Sequence, residues 1–198
     1  MAATVFTVAV SLLKIPWLTL GAVALALLVF WFFRDPERIT PTGERLILSP
    51  ADGRVVGITE SDEPRFLKAR AIQVSVFLSP LNVHVNRIPC SGRIREVAYR
   101  PGKFLSAQRD RASLENEQNA ILLETGAGEK IVFVQIAGFL ARRIVCWIKP
   151  GDPVKQGVRF GMIRFGSRMD LYLPLSTRLR VKAGDRVKGG LSVIGELS

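Results

Sequence analysis

The chain has 198 residues, enough for one well-packed domain with an appendage but too few for two domains of ordinary size. Lysine and arginine number 28 against 17 acidic residues, and the formal net charge of +11 favours an anionic partner, either an acidic membrane face or nucleic acid. The single histidine, His84, excludes a zinc site built from several imidazoles, and no metal site is predicted. Cys90 and Cys146 have no CxxC spacing and are interpreted as reduced, buried thiols.

An uncharged apolar run covers residues 15–33. Its nineteen residues are close to the roughly 20 that a helix needs to cross a bilayer. Trp17 and Trp31 lie near its two ends, as aromatic residues do at membrane interfaces, and the arginines that follow suit a cytoplasmic flank. The sequence therefore predicts a membrane-anchoring segment over 1–35, with the catalytic part at the cytoplasmic face of the cell membrane.

The N-terminal segment has two other interpretations. A cleaved signal peptide is disfavoured, because the residues before the apolar run lack a positive n-region and no small-residue cleavage site precedes the bulky end of the run. Residues 4–13 are also apolar, and Lys14 and Pro16 would break the run after them. A re-entrant hairpin of two short helices therefore stays open beside a single span.

From residue 36 onward the sequence changes to short apolar runs separated by glycine and proline, a pattern that predicts β-strands. The runs are RLILSP, GRVVGI, IQVSVFL, GRIREVAY, AILLE and KIVFVQI. The polar stretch 103–118 is predicted to be a long loop. Residues 139–148 are predicted to form a short amphipathic helix, with a strand as the alternative. Residues 36–198 are therefore predicted to form one mostly β domain, of the α+β class with the N-terminal segment included.

An internal repeat occurs in the last third of the chain. Residues 149–157 read KPGDPVKQG and residues 182–190 read KAGDRVKGG, and each copy is a Gly-Asp turn that leads into a strand. The repeat resembles the turns of the barrel-sandwich hybrid fold of lipoyl and biotinyl carriers. No lysine motif of a carrier is present, so the repeat indicates a barrel-sandwich-hybrid-like fold and not a lipoyl cofactor.

Three short motifs stand out in the predicted β domain. They are PADG over 50–53, FLSPLNVHVNRIP over 77–89 and RFGS over 164–167. Together with FFRDPER over 32–38, they make the chain resemble the phosphatidylserine decarboxylase proenzymes, in the short form found in bacteria and archaea. The resemblance runs from about residue 32 to the C-terminus, and its specificity depends on the motifs occurring in this order.

A Gly-Ser pair by itself is most often an ordinary turn. The resemblance implies another role for Gly166 and Ser167: the Ser167 hydroxyl attacks the Gly166 carbonyl, and the protein cleaves itself into a large chain, 1–166, and a small chain, 167–198. Ser167 then becomes a pyruvoyl group, the implied cofactor, by β-elimination, tautomerisation and loss of ammonia. A glycine before the serine is suitable, because it presents an unhindered carbonyl and tolerates strained backbone angles.

The resemblance also implies that Asp52 and His84 form a self-cleavage triad with Ser167, since a serine hydroxyl needs a base and the base needs an orienting group. Without the resemblance, Asp52 would be interpreted as a turn residue and His84 as a structural histidine. The family's commonest cleavage motif is LGST, whereas this chain has FGSR over 165–168. Longer members carry a second histidine where this chain has Arg87, so either His84 serves both steps or Arg87 and water share them.

The implied activity is decarboxylation of phosphatidylserine to phosphatidylethanolamine, through a Schiff base between the pyruvoyl group and the lipid amine. His84 is the predicted acid that protonates the carbanion, with its tautomer set by Asp52. The predicted partner is phosphatidylserine in the membrane, whose anionic headgroup suits the basic surface. The two chains are predicted to stay associated, nucleic-acid binding is not predicted, and a homo-oligomer is left open.

Two readings from other functional classes stay open. A plain hydrolytic or self-processing enzyme that uses Ser167, His84 and Asp52 would leave the chain intact, or cleave it without forming a keto group. A membrane-anchored hybrid-barrel module would bind anionic lipid or nucleic acid through its charge, with no catalysis.

Overall fold

The computed structural model describes residues 16–102, 116–138, 143–163 and 167–198. This part of the chain is mostly β, as predicted, with one helix near the N-terminus. The elements are α1 (Pro16–Phe32), β1 (Leu46–Leu48), β2 (Gly53–Glu63), β3 (Ala69–Leu78), β4 (Val85–Arg87), β5 (Gly92–Arg100), β6 (Gln118–Glu124), β7 (Lys130–Ile136), β8 (Ile144–Cys146), β9 (Pro153–Val154), β10 (Arg159–Ile163), β11 (Ser167–Leu173), β12 (Arg178–Leu179), β13 (Arg186–Val187) and β14 (Val193–Glu196). Contacts divide the chain into two units, 1–36 and 37–198.

The helix α1 is shorter than the apolar run in the sequence. It begins at Pro16, since proline suits the first turn of a helix, and it ends at Phe32, shortly before Pro36. Its 17 residues span about 26 Å at 1.5 Å per residue, against a hydrocarbon core of about 30 Å. Within the described ranges, no helix is both long and apolar enough to cross a membrane. The predicted membrane-spanning segment is therefore not supported, and the hairpin alternative falls partly on residues 4–13, outside the described residues.

The six apolar runs that predicted strands all form strands: β1, β2, β3, β5, β6 and β7. The helix predicted over 139–148 is wrong where the structure describes it, because Ile144–Cys146 forms β8 and pairs antiparallel with β10. β-Branched Ile144 and Val145 favour a strand, and the pairing satisfies their backbone groups. Residues 103–115 of the predicted loop lie outside the described residues.

Eight strands form the large sheet, in the order β13-β2-β3-β11-β7-β6-β5-β9. All neighbouring pairs in it are antiparallel. Two three-stranded sheets have the orders β1-β14-β12 and β4-β10-β8. Strand β11 therefore lies in the interior of the large sheet, between β3 and β7, and it begins at Ser167.

The main hydrophobic core draws on all three sheets. Met169 of β11, Phe160 of β10 and Ile194 of β14 are each fully buried in it. The rings of Phe133 and Phe160 meet edge to face at 5.0 Å between centroids, which packs the large sheet against the β4-β10-β8 sheet. Side chains alternate along a strand, so one face of β11 belongs to this core and the other face to a second environment.

The two copies of the Gly-Asp repeat fold in the same way. In each, the aspartate Oδ2 accepts the backbone N–H of the lysine three residues earlier, at 2.9 Å for Asp152 and at 2.9 Å for Asp185. Gly151 and Gly184 have φ of +94° and +96°, a backbone conformation that favours glycine. The repeat read from the sequence is therefore a true structural repeat.

A second repeat, not predicted from the sequence, packs against the first. Gly184 N–H donates to Val55 O and Gly151 N–H donates to Ile94 O, both at 2.8 Å. Strands β2 and β5 carry these acceptors, and each has a register shift immediately after the acceptor residue. The segment 49–57 is thus equivalent to 88–96, and the fold contains two similar pairs of turns.

The two cysteines are both free, but only one is fully buried. Burial raises the pKa of the Cys90 thiol to about 12, with a smaller contribution from the charge of Glu129. Cys146 is partly exposed, and burial raises its pKa by less. The prediction of reduced, buried thiols is therefore confirmed for Cys90, and its burial part is wrong for Cys146.

Cys90 is expected to resist thiol reagents in the folded protein. In a Cys146→Ser variant at about pH 8, a water-soluble disulfide reagent should leave Cys90 unmodified, because a thiol must ionise to react. The same sample should react fully in denaturant, which serves as the control. Rapid labelling of Cys90 under native conditions, followed by absorbance, would contradict its burial.

Gly53 has no room for a side chain. A Cβ at this position would lie 2.1 Å from the Phe77 carbonyl oxygen, whereas a Cβ at Gly126 would meet nothing within 4 Å. Gly53→Ala should lower the free energy of unfolding by about 2–3 kcal/mol, and Gly126→Ala should change it by less than about 0.5 kcal/mol. Urea unfolding followed by circular dichroism measures both, and equal stability of the two variants would refute the close approach.

Candidate active site

Strand β3 brings Asp52 and Ser167 to the same end of the large sheet. Ser167 pairs with Leu78 on one side of β3, and on the other side Arg54 pairs with Phe77. Asp52 immediately precedes Gly53, the first residue of β2. The two predicted residues, 115 positions apart in the sequence, therefore flank the last two residues of one strand.

His84 reaches this region through the β4-β10-β8 sheet. Its carbonyl oxygen accepts the backbone N–H of Ile163 at 3.4 Å, and Ile163 ends β10 four residues before Ser167. Further along the same segment, Arg87 N–H donates to Pro50 O at 2.8 Å, two residues before Asp52. Residues 84–87 thus connect the Asp52 turn with the segment that leads to Ser167.

The predicted cleavage bond lies partly outside the described residues, since these resume at Ser167 after residues 164–166. Ser167 itself is fully buried, and its hydroxyl has no hydrogen-bond partner among the described residues. A buried hydroxyl without a partner costs about 1–3 kcal/mol, so such groups call for an explanation, for which a chemical role is one of the usual candidates. His84 is also buried, at 1% exposure.

Asp52 is bound by Arg38, one of the arginines that follow the N-terminal apolar run. Arg38 donates from Nη1 to Asp52 Oδ1 at 2.5 Å and from Nη2 to Oδ2 at 2.9 Å, so the contact is bidentate. Arg38 Nη1 also donates to Gly189 O at 2.5 Å, and Gly189 N–H donates to Asp52 Oδ1 at 2.8 Å. The Arg38 side chain is only 6% exposed. Arg38 therefore belongs to the candidate site.

Arg87, three residues after His84, is also buried. Its residue is 4% exposed, and Nη1 donates to the Gly157 carbonyl at 3.1 Å. The Cδ atom of Arg87 also lies against Gly190, where an added Cβ would come within 2.7 Å of it. Arg87 therefore packs between the two positive-φ glycines that end the repeat copies.

Arg168 lies on the opposite face of β11 from Ser167, because neighbouring residues of a strand point to opposite faces. It forms a buried ion pair with Asp170, with Nε 2.9 Å from Oδ1 and Nη2 2.9 Å from Oδ2. Gln73 Nε2 donates to the same Oδ2 at 3.0 Å. Burial, together with the charge of Asp170, raises the pKa of nearby Tyr172. The positive charge of Arg168 is thus neutralised inside the fold by Asp170.

A series of hydrogen-bonded buried amides, missed in the sequence, ends at Asn86, two residues after His84. Gln135 Nε2 donates to the Val145 carbonyl oxygen at 3.2 Å. Because a carbonyl can only accept, this bond fixes the orientation of the Gln135 amide, and Nε2 also donates to Asn86 Oδ1 at 2.9 Å. Asn119 Nδ2 donates to Gln135 Oε1 at 3.0 Å. Asn86 uses Oδ1 as the acceptor in this series, so its Nδ2 is the donor left over, and Nδ2 has no hydrogen-bond partner among the described residues. A buried donor thus lies two residues after His84.

A family model described as phosphatidylserine decarboxylase matches residues 25–195. The chain belongs to the phosphatidylserine decarboxylase family. The resemblance read from the motifs is thereby confirmed, and the chain is a member of a family of decarboxylases, which are carboxy-lyases.

Similar proteins named phosphatidylserine decarboxylase proenzyme span nearly the same length. The protein of Syntrophus aciditrophicus is 49% identical over 187 residues, which cover 94% of this chain and 88% of that protein. The protein of Geotalea uraniireducens is 46% identical over 192 residues, 96% of this chain and 90% of that protein. The protein of Ralstonia pickettii is 49% identical over 173 residues, 87% of this chain and 80% of that protein.

The buried ion pair between Arg168 and Asp170 should matter for stability. Arg168→Met leaves the Asp170 carboxylate buried without its cation, and the free energy of unfolding should fall by about 3–5 kcal/mol. The double variant Arg168→Met/Asp170→Asn removes both charges and should recover at least half of that loss. Urea unfolding distinguishes the two, and a single variant as stable as the unsubstituted protein would contradict the ion pair.

Proposed function

We propose that this decarboxylase is made as a proenzyme that cleaves itself between Gly166 and Ser167, and that the pyruvoyl group so formed decarboxylates phosphatidylserine to phosphatidylethanolamine. The observation that carries the proposal is the Ser167 hydroxyl, which is buried at the start of an interior strand with no hydrogen-bond partner among the described residues. The relatives' name, proenzyme, agrees with a processing step.

Self-cleavage begins with the hydroxyl of Ser167. His84 takes its proton, and Oγ attacks the Gly166 carbonyl carbon, so that a C–O bond forms as the C–N bond breaks. The released amine of Ser167 takes up the proton. Loss of the Cα proton of Ser167 then expels the Gly166 carboxylate and leaves dehydroalanine, which tautomerises and reacts with one water to release one ammonia. The large chain ends at 166, and the small chain begins at 167.

Asp52 and Asn86 support this chemistry from two sides in the proposal. Asp52 orients His84 and stabilises its positive charge, as the third member of a serine triad does. Asn86 Nδ2, the terminal donor of the amide chain, stabilises the negative oxygen that forms during attack on the carbonyl. Both groups are buried, where such interactions are stronger than in water.

The residues fit a pyruvoyl group, because its precursor Ser167 is fully buried at the start of an interior strand, and the single histidine, His84, is buried as well. When formed, the group supplies an electrophilic carbonyl that binds the substrate amine and withdraws electrons as carbon dioxide leaves. His84 then returns a proton to the substrate carbon. The large and small chains stay together in the proposal, since Ser167–Leu173 pairs with both β3 and β7 of the large chain.

Two further features stay proposals. The paired turns of the two repeats support a barrel-sandwich-hybrid-like arrangement of the β domain.

Helix α1 exposes large apolar side chains, among them Trp17 at 80% and Phe30 at 66%, which supports contact with a lipid surface. We place the enzyme at the cytoplasmic face of the cell membrane, where its basic residues would attract anionic phosphatidylserine.

Intact-mass spectrometry tests the proposed processing. The purified protein should give two chains, split after Gly166, with the small chain lighter by one ammonia than a peptide that begins with serine. Ser167→Ala should give one uncleaved chain with an unchanged fold, because the attacking oxygen is gone. The cleaved protein should release carbon dioxide from phosphatidylserine vesicles, and the Ser167→Ala protein should not.

The outcomes separate the alternatives. A folded, uncleaved chain that does not act on phosphatidylserine would refute the proposal and favour a lipid-binding module. Cleavage with an unmodified serine at the new N-terminus would instead favour a plain self-processing enzyme.

A further inference from the structure

The turn that carries Asp52 has an internal copy, and the copy carries a serine. The segments 49–57 and 88–96 are equivalent, which places Ser91 at the position of Asp52. Gly189 N–H donates to Asp52 Oδ1 at 2.8 Å, and Gln156 N–H donates to Ser91 Oγ at 3.0 Å. In both copies the donor is the residue just before a positive-φ glycine.

The copy therefore shows what the turn itself requires. Ser91 is exposed, and its hydroxyl accepts the backbone N–H without any charge. Asp52 makes the same contact but is buried at 8% exposure. Burying a carboxylate is costly unless a cation and hydrogen bonds compensate it. Since Ser91 makes the same hydrogen bond without a charge, the turn itself does not require a carboxylate at position 52.

Arg38 is the compensating group, and it also fixes the direction of the carboxylate. Its guanidinium binds both oxygens of Asp52 and the Gly189 carbonyl, which closes a ring of four hydrogen bonds among three residues. Oδ1 thereby receives two donors, whereas Oδ2 receives only Nη2 of Arg38 within the described residues. One acceptor direction of Oδ2 is left for a further donor.

We infer that Arg38 is a positioning residue for self-cleavage: it holds the buried Asp52 carboxylate in one orientation and leaves one lone pair of Oδ2 open for a further donor, which is His84 in the proposed function. The inference rests on the proposed function, because it assumes that Asp52 acts on His84. Arg38 touches no reacting atom. Its effect passes through Asp52, and the planar, bidentate fork of arginine is needed for it.

The test follows self-cleavage over time in cell-free synthesis of the full chain, with each variant's melting temperature measured in the uncleavable Ser167→Ala background. Arg38→Met should slow cleavage about 100-fold, as expected when a supporting group is misplaced by about 1 Å. Arg38→Lys should recover part of the rate, since it restores the charge without the fork. Arg180→Met is the matched control: it removes an exposed arginine paired with Glu196 and should leave the rate unchanged.

A double variant separates positioning from stability. Arg38→Met/Asp52→Ser removes both charges and gives the turn the hydroxyl that Ser91 uses in the copy, so the protein should fold. If Arg38 acts by positioning Asp52, this double variant should cleave no faster than Arg38→Met. Faster cleavage by the double variant would show that Arg38 only stabilises the fold and would overturn the inference, as would a normal rate in Arg38→Met.

The proposed function and the inference fail in different ways. No cleavage of the unsubstituted chain would refute the self-cleavage proposal itself. Cleavage of the unsubstituted chain that stops in Ser167→Ala but continues at the normal rate in Arg38→Met would refute only the role of Arg38.

Discussion

The candidate site depends on the two antiparallel ladders that flank β3. One ladder joins β3 to β2 and fixes the turn with Asp52, and the other joins β3 to β11 and fixes Ser167. Because the side-chain period of a strand is two residues, a one-residue slip of the β3–β11 ladder would turn Ser167 out of the core, and a slip of the β2–β3 ladder would displace Asp52. Gly53 allows the close approach of β2 to the Phe77 carbonyl and so protects this register.

Around this frame, the fold places polar groups in positions where water cannot reach them. Some are compensated, such as the Arg168–Asp170 pair and the ring of bonds among Arg38, Asp52 and Gly189. The hydroxyl of Ser167 and Nδ2 of Asn86 are not compensated by described residues. Buried polar groups without partners lower stability, so a fold that keeps these two, one of them two residues from the buried His84, favours a chemical over a structural explanation.

Local patterns in the sequence predicted much of the architecture. Alternating or continuous apolar runs marked six strands, because burial on a sheet selects apolar residues at regular spacing. The short stretch around Ile144 was misassigned, since three residues are too few to show a period and their pairing with β10 decided the outcome.

The sequence by itself determined the family, the likeness of the two Gly-Asp turns and the candidates Asp52, His84 and Ser167, because these depend on residue types in a fixed order. Only the tertiary structure decided that Asp52 and Ser167 flank one strand, that Arg38 binds Asp52 and that Asn86 ends a chain of amides. These contacts join residues 14 to 151 positions apart. Such pairs leave no local period in a sequence, since they arise from strand order and register, which hydrogen bonding between distant segments sets.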